Sequence, residues 1–252
     1  MHVDVISSLV LDPIQTVRRY GFNSVEQYQR WHSLVPDDVV GPITSTLMTQ
    51  PRCGCPDYQP SRPPEEASWP RSCLDVGVAY RLQLNLDSDA VGSAWSTALN
   101  IWNESCGINL ELIESMQEAQ IWAKSGPLPG STLAWSYLPN GNCRENLEQK
   151  YDSEQQWNHD FLGKVVLHEI GHALGLTHSR RKADIMYPTI TGRDLSSYPS
   201  PNDKGRVVEL YGEAAPIPRD NDPPFDPELP INSRITITGR PLSSGTYTLR
   251  KV

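Results

Sequence analysis

Apolar residues in the middle of the chain follow two different periods, which separate strands from helices. Residues 76–84 alternate apolar and polar side chains, as a half-buried strand does. The next segment starts at Asp87 or Ser88 as a helix cap and carries an apolar stripe at helical spacing, formed by Val91, Trp95, Ala98, Leu99 and Trp102. These patterns predict a strand followed by an amphipathic helix.

Shorter patterns of both kinds continue along the chain. Further strands are predicted at residues 108–113, 119–124 and 132–138, and further helices at residues 160–174 and 203–211. Strands and helices mixed in this order predict an α+β fold with one sheet and few helices.

The N-terminal 50 residues predict a small helical unit. Apolar residues recur at every third position of residues 25–34, after Ser24 as an N-cap, and a second short helix is predicted at residues 43–48, after the break at Gly41 and Pro42. Two linkers and a hairpin complete the chain, at the Pro-rich residues 58–72, the Pro- and Asp-rich residues 213–230, and residues 231–252.

Composition argues against two classes of protein. The chain of 252 residues carries 22 Lys and Arg against 30 Asp and Glu, a net charge of −8 without a basic cluster, which argues against nucleic-acid binding. No apolar run approaches the roughly 18–20 residues that span a bilayer, so no transmembrane segment is expected. The first ten residues lack the features of a standard signal peptide.

Three of the six histidines lie within residues 168–178. His168 and His172 are four residues apart, so they lie one turn apart on the same face of a helix. Gly175 can end that helix and turn the chain, which brings His178 back as a third ligand. Three histidines with an open fourth position describe a catalytic zinc site, whereas a structural site would be closed by a fourth protein ligand.

Glu169 lies beside these histidines on the adjacent flank of the helix. A zinc ion lowers the pKa of a bound water toward about 7, and Glu169 can accept the proton and pass it to a leaving amine. This chemistry predicts peptide hydrolysis without a Ser or Cys nucleophile. The competing interpretation is that the histidines are ordinary residues or the remains of an inactive metal site.

Met186 follows His178 by eight residues and directly precedes Tyr187 and Pro188. Together with the histidine motif, this arrangement resembles the metzincin proteases, which have a methionine-containing turn under the zinc. The resemblance implies that Met186 forms this turn and that Tyr187 and Pro188 begin the wall of the main specificity pocket. By itself, a methionine here would be interpreted as a core residue.

Residues 51–57, Pro-Arg-Cys-Gly-Cys-Pro-Asp, are similar to the cysteine switch of matrix metalloproteinases (matrixins), Pro-Arg-Cys-Gly-x-Pro-Asp. A thiolate is a strong zinc ligand, so the resemblance implies that Cys53 occupies the fourth zinc position in a latent state. It also implies that Arg52 and Asp57 pair to shape the loop. The alternative is that Cys53 and Cys55 are ordinary disulfide cysteines of a Pro-rich loop.

The resemblance covers most of residues 20–212 and implies a domain plan. A peptidoglycan-binding-like helical prodomain (residues 1–50) precedes the switch (51–57), an activation linker (58–72) and a metzincin catalytic domain (73–212) with a twisted mixed sheet of about five strands and three helices. It also implies a protein or peptide substrate, an activating protease that cuts the linker, an extracellular location and a monomeric protein.

Several positions depart from the family pattern. Trp135 and Lys150 stand where matrixins have histidines that bind a structural zinc, so this zinc is predicted to be absent and only one catalytic zinc is expected. Asp152 matches a calcium ligand, but Gln155 replaces its Glu partner, which leaves Ca²⁺ binding open. The residues after 212 are too few for the propeller domain of many matrixins.

Four cysteines remain if Cys53 is a zinc ligand, and they allow three pairings, among Cys55, Cys73, Cys106 and Cys143. A Cys55–Cys73 bond would keep the prosegment tethered after cleavage of the linker. Two other functions also stay open: a non-catalytic glycan or cell-wall binding module with a vestigial zinc site, and a protease of another metzincin branch.

Overall fold

A computed structural model describes residues 12–58, 68–190 and 198–214. The hairpin predicted at residues 231–252 and nearly all of the linker predicted at residues 213–230 lie outside the described residues. Most of the linker predicted at residues 58–72 does so as well.

One mixed sheet of six strands forms the centre of the described protein. The strands are β1 (Arg52–Cys53), β2 (Asp75–Arg81), β3 (Asn109–Leu112), β4 (Ile121–Gly126), β5 (Thr132–Ser136) and β6 (Leu147–Asp152). Their order across the sheet is β1-β5-β6-β4-β2-β3, and only the β5–β6 pair is antiparallel. This architecture, together with the helices that follow, confirms the predicted α+β class.

Two long helices supply a large share of the apolar core. In α4 (Ser88–Asn103), all five residues of the predicted stripe are buried, and the Asp87 carboxylate caps the helix by accepting a hydrogen bond from the Ala90 N–H. The Trp102 indole donates a 2.9 Å hydrogen bond to the Leu167 carbonyl of α5 (His159–Ala173). Because this bond and the surrounding apolar contacts fix α5 against α4, the residues on α5 have a rigid support.

Strand β6 was not predicted from the sequence, because polar residues interrupt its pattern. Leu147, Gln149 and Tyr151 alternate as buried residues, and Gln149 is the polar member of this face. Its side-chain amide donates hydrogen bonds to the Ser136 hydroxyl and to the Glu169 carbonyl. A buried polar side chain that is fully bonded in this way can replace an apolar one.

Three N-terminal helices pack around a small cluster of their own: α1 (Pro13–Arg19), α2 (Val25–Trp31) and α3 (Pro42–Thr49). Their core consists of Val17, Tyr20, Phe22, Val25, Tyr28 and Met48. The Ser24 hydroxyl caps α2 by accepting a hydrogen bond from the Gln27 N–H, as the sequence predicts. Strand β1 follows α3 directly and pairs in parallel with the edge strand β5.

Part of the segment predicted as an exposed linker is buried. Trp69 is only 2% exposed, and its indole donates a 2.9 Å hydrogen bond to the Ala173 carbonyl at the end of α5. Its backbone N–H donates to the hydroxyl of Tyr211, the last residue of α6 (Pro201–Tyr211). The prediction of exposure is therefore wrong at residue 69, because an indole buries enough apolar area to dock a Pro-rich segment.

One disulfide is present among the described cysteines, between Cys73 and Cys143. The Cys55–Cys73 bond considered from the sequence does not form, since Cys55 is a buried free thiol, as are Cys53 and Cys106. The disulfide joins the start of the catalytic region to the β5–β6 connection. Among the described residues, no helix is long and apolar enough to cross a membrane.

Candidate metal centre and active site

Helix α5 carries two of the three histidines, His168 and His172. Both side chains are completely buried, and their ring centroids are 4.8 Å apart, as expected for neighbours one turn apart. Asn158 caps the start of the helix, since its side chain accepts a hydrogen bond from the Phe161 N–H. The spacing of these two imidazoles along the helix thus follows from local sequence.

The third histidine is placed by the turn that ends α5. Gly175 has φ +95°, a conformation that favours glycine. Its N–H donates to the His172 carbonyl, and the Leu176 N–H donates to the Gly171 carbonyl, which together form a Schellman motif. The chain then returns so that His178 Nε2 lies 3.3 Å from His168 Nε2.

Backbone carbonyls orient the two α5 histidines. His168 Nδ1 lies 2.6 Å from the Ile185 carbonyl oxygen, and His172 Nδ1 lies 2.7 Å from that of Leu176. A carbonyl can only accept, so Nδ1 carries the proton in both rings and Nε2 presents a lone pair to the cluster. This bonding of the distal nitrogen is typical of histidines that bind metals.

The sulfur of Cys53 completes a group of four donors. Cys53 Sγ lies 3.4 Å from His172 Nε2, and the donor atoms of Cys53, His168, His172 and His178 all lie within 4.8 Å of one another. A tetrahedral zinc would separate two nitrogens by about 3.3 Å and a nitrogen and a sulfur by about 3.5 Å. The donor types and spacing therefore fit one zinc ion.

The carboxylate of Glu169 is buried beside this group. Neither of its oxygens has a hydrogen-bond partner among the described residues, which is costly for a buried polar group. Burial, reinforced by the nearby Cys55 thiol, raises the pKa of Glu169 to about 8. Unpartnered buried carboxylates of this kind are more often found at functional sites than in structural cores.

Met186 is completely buried and packs against α5 near its two histidines. A Cβ added to Gly171, which lies between the two α5 histidines, would overlap the Met186 sulfur and crowd Trp102. The Ser179 N–H donates to the Met186 carbonyl, which ties the turn to the residue after His178. The close approach of Met186 to α5 explains why glycine stands at position 171, a reason that the motif alone does not reveal.

Asp184 joins the Met186 turn to the start of α6. Its carboxylate accepts hydrogen bonds from the hydroxyls of Ser179 and Ser200 and from the side-chain amide of Asn202. Asp203 adds a bond from the Ile185 N–H, next to the carbonyl that orients His168. The sequence analysis assigned no role to Asp184. The one feature that pointed to this residue was its position two residues before Met186.

The segment that carries Cys53 is fixed by backbone pairing. The Cys53 N–H donates a 2.9 Å hydrogen bond to the Pro188 carbonyl, and the Gly54 N–H donates a 2.8 Å bond to Ala134 of β5. A Cβ on Gly54 would press on the Thr132 methyl at 2.8 Å, so the close approach requires glycine. Cys53 is thereby held between the edge strand and the predicted pocket wall.

A buried ion pair between Arg52 and Asp57 closes the loop around Cys53, as the resemblance implies. Both side chains are fully buried, and the guanidinium lies over the Tyr20 ring, 3.5 Å from its centroid. Burial alone would raise the pKa of Asp57, but Arg52 and two neighbouring imidazoles hold it well below its usual range.

The two imidazoles beside Asp57, those of His178 and His32, belong to different parts of the chain. His178 Nδ1 lies 3.0 Å from Asp57 Oδ1, an ion-pair contact without good hydrogen-bond alignment, and His32 Nε2 lies 3.1 Å from Asp57 Oδ2. The other ring nitrogen of His32 lies 3.3 Å from the Tyr187 hydroxyl. Sequence analysis missed His32, because no local pattern distinguishes it from an ordinary histidine of a helical unit.

Comparison with known proteins identifies the class of this site. The family model of the matrixins matches residues 77–212, which is more than half of the chain. The chain therefore belongs to the matrixin family, which confirms the family resemblance inferred from the sequence.

Individual relatives agree with this assignment. Mouse stromelysin-1 is 30% identical over 211 residues, which cover 77% of this chain and 43% of stromelysin-1. Cat matrilysin is 28% identical over 209 residues, covering 75% of this chain and 77% of matrilysin. Human matrix metalloproteinase-17 is 28% identical over 239 residues, which cover 83% of this chain and 40% of that protein. The chain thus spans less than half the length of stromelysin-1.

Proposed function

We propose that this protein is a latent zinc endopeptidase whose own N-terminal segment blocks the active site. The observation that carries the proposal is the convergence of three imidazole nitrogens and the Cys53 sulfur within 4.8 Å. Three histidines alone would leave a position for the attacking water, and the fourth donor comes from a segment outside the catalytic region.

His168, His172 and His178 would hold the zinc ion, which when bound lowers the pKa of a water and polarises the scissile carbonyl. Glu169 would act as the general base that accepts the proton of this water and passes it to the leaving amine. Its raised pKa belongs to the blocked form, in which the carboxylate is buried. Water that enters after the segment leaves would lower this pKa and so favour the carboxylate.

The substrate would replace β1 at the edge of the sheet. An extended peptide can pair with the exposed edge of β5 once Arg52 and Cys53 have left it, because main-chain pairing with a strand edge is a common mode of peptide recognition. Tyr187 and Pro188 would then border the pocket for one substrate side chain. In the blocked form these two residues contact His32 and Cys53 instead.

Activation would be cleavage within the proposed linker at residues 58–72. Arg71 is exposed, whereas Arg62 is followed by proline, so a trypsin-like protease would cut after Arg71. The Cys73–Cys143 disulfide lies wholly on the C-terminal side of this cut and would not retain the N-terminal segment. The alternative of a non-catalytic glycan-binding module is not favoured by the relatives or by the complete donor set.

The decisive experiment compares Cys53→Ser with Cys106→Ser in the zinc-loaded full chain. Cys106 is a buried free thiol whose sulfur donates to the Trp102 carbonyl, so it serves as the matched control. We expect Cys53→Ser to hydrolyse a quenched peptide without cleavage of its chain, and Cys106→Ser to require protease. Addition of 1,10-phenanthroline should abolish both activities. Uncut Cys53→Ser that stays inactive would refute the latency mechanism.

A further inference from the structure

The switch segment carries a second thiol, Cys55, that the proposed zinc site does not use. Its sulfur donates a 3.2 Å hydrogen bond to the Ser136 carbonyl, and its N–H donates a 3.3 Å bond to Cys53 Sγ. The two sulfurs, Glu169 and the His172 ring nitrogen form a group of atoms within 4.8 Å of one another. Two reduced thiols therefore face each other beside the metal centre.

The backbone allows these two sulfurs to join. A disulfide needs a sulfur separation of about 2.05 Å and a Cα separation of roughly 4.4–6.8 Å. The chain bends at Gly54 and Cys55, immediately after β1, which shortens the distance between the flanking residues. Rotation of the Cys53 side chain toward Cys55 would carry its sulfur away from His172, and a disulfide sulfur lacks the thiolate charge that binds zinc.

The two thiols, both buried, differ in their position relative to a large cavity at the surface. Cys55 lines a cavity of about 940 Å³ between the switch segment and the β5–β6 connection, together with Gly54, Tyr58, Trp135 and Tyr137. Cys53 is completely buried and is not part of this lining. A small reagent that enters the cavity would therefore meet Cys55 first.

The described structure already contains one oxidised pair of cysteines. Cys73 and Cys143 already form a disulfide, which is typical of proteins that fold in an oxidising compartment. Low-molecular-weight disulfides are present in such compartments and exchange with accessible thiols.

We propose that Cys53 and Cys55 form a reversible disulfide that opens the active site without cleavage of the chain. This inference rests on the proposed function, since it requires that Cys53 block the site. In the first step the Cys55 sulfur attacks a small disulfide such as oxidised glutathione, which forms a mixed disulfide and releases one glutathione thiol. In the second step the Cys53 sulfur attacks Cys55 and releases the other glutathione thiol.

The two steps balance in electrons and protons. The two cysteines lose two electrons and two protons, and one molecule of oxidised glutathione gains them as two thiols. Reduced glutathione in excess reverses both steps, so latency returns. Proteolytic activation, by contrast, is irreversible.

The test treats zinc-loaded full-length protein and the Cys55→Ser variant with oxidised glutathione. The tryptic peptide of residues 53–71 contains Cys53 and Cys55 and no other cysteine, so mass spectrometry after alkylation shows whether these two have joined. For the full-length wild type we expect a disulfide-bonded peptide that carries no alkyl label, and a chain that stays uncut on a gel. Its peptidase rate should rise at least about tenfold. Reduced glutathione should reverse both the disulfide and the rise in rate, and Cys55→Ser should remain latent.

The inference would be overturned by a Cys53–Cys55 disulfide that forms without a rise in peptidase rate, or by a Cys55→Ser variant that oxidised glutathione activates equally. Failure of wild type to form the disulfide, with normal activation by protease, would also reject it while leaving the proposed function intact. Failure of the proposed function has a different signature, because Cys53→Ser would then stay inactive.

Discussion

The Asp57 carboxylate and the His178 imidazole face each other across the junction of the switch segment and the catalytic region, with Oδ1 3.0 Å from Nδ1. The same carboxylate pairs with Arg52 and lies 3.1 Å from His32. One buried acid therefore connects the N-terminal helices, the loop around Cys53 and a proposed metal ligand. Its removal should weaken all three connections together.

We predict that Asp57→Asn loosens the blocked state. The change leaves the buried Arg52 guanidinium without its counter-ion, a loss that typically costs about 3–5 kcal/mol. The uncut variant should show peptidase activity, and its linker should be cut faster by trypsin. Glu26→Gln is the control, since the exposed Arg30–Glu26 pair contributes about 0–1 kcal/mol, and its rates should match wild type.

A second prediction concerns pH and His32. Burial lowers the pKa of His32, despite the opposing effect of Asp57, and Arg52 and Lys182 act in the same direction as burial. The undocked segment therefore binds a proton more readily than the docked one as pH falls below about 6.5. Docking of the N-terminal helices should be unaffected above this pH and weaken below it.

Hydrogen exchange in α1–α3 at pH 7.5 and at pH 5.5 would measure this effect. After correction for the slower intrinsic exchange of amides at low pH, wild type should show lower protection factors in these helices at pH 5.5, whereas His32→Gln should show a smaller difference between the two pH values. Equal pH dependence in the two proteins would exclude His32 as the titrating group. His159→Gln is the control, because His159 is exposed and lies on α5.

Two glycines of α5 should respond to alanine in opposite ways. Gly171→Ala forces a Cβ against the Met186 sulfur, and overpacking of this kind costs about 1–3 kcal/mol. Gly163→Ala meets nothing within 4 Å and should stabilise the helix by about 0.5–1 kcal/mol. Thermal unfolding of both variants provides the comparison, and an unchanged midpoint for Gly171→Ala would argue against the described packing.

Glu169→Gln separates catalysis from metal binding. The amide has nearly the same shape but cannot accept the proton of a water, and positioned general bases contribute roughly 10²–10⁴-fold to rate. After proteolytic activation, we expect kcat/KM to fall by about this factor, with zinc content by elemental analysis unchanged. Activity close to wild type would remove Glu169 from the mechanism.

The sequence predicts most of the centre because its residues lie close together in the chain. Helix α5, the turn at Gly175 and the position of His178 all depend on neighbours within a few residues, and each was predicted from spacing. The stripe on α4 was predicted for the same reason. Strand β6 was missed because Gln149 is buried, and its partners Ser136 and Glu169 come from distant parts of the chain.

Contacts between distant segments explain the other differences. His32 and Tyr187 are 155 residues apart, so only the docking of α2 brings them together. The Cys73–Cys143 bond likewise belongs to one of three pairings that the sequence could not distinguish. Trp69 lies in a Pro-rich segment, and its burial depends on the ends of α5 and α6.

X-ray absorption at the zinc edge tests the central claim most directly, on the full chain before and after cleavage of the linker. We predict one zinc per chain with three imidazole nitrogens at about 2.0–2.1 Å and one sulfur at about 2.3 Å, and replacement of the sulfur by oxygen after cleavage. A protein without bound zinc, or a latent form whose zinc has no sulfur ligand, would contradict the account.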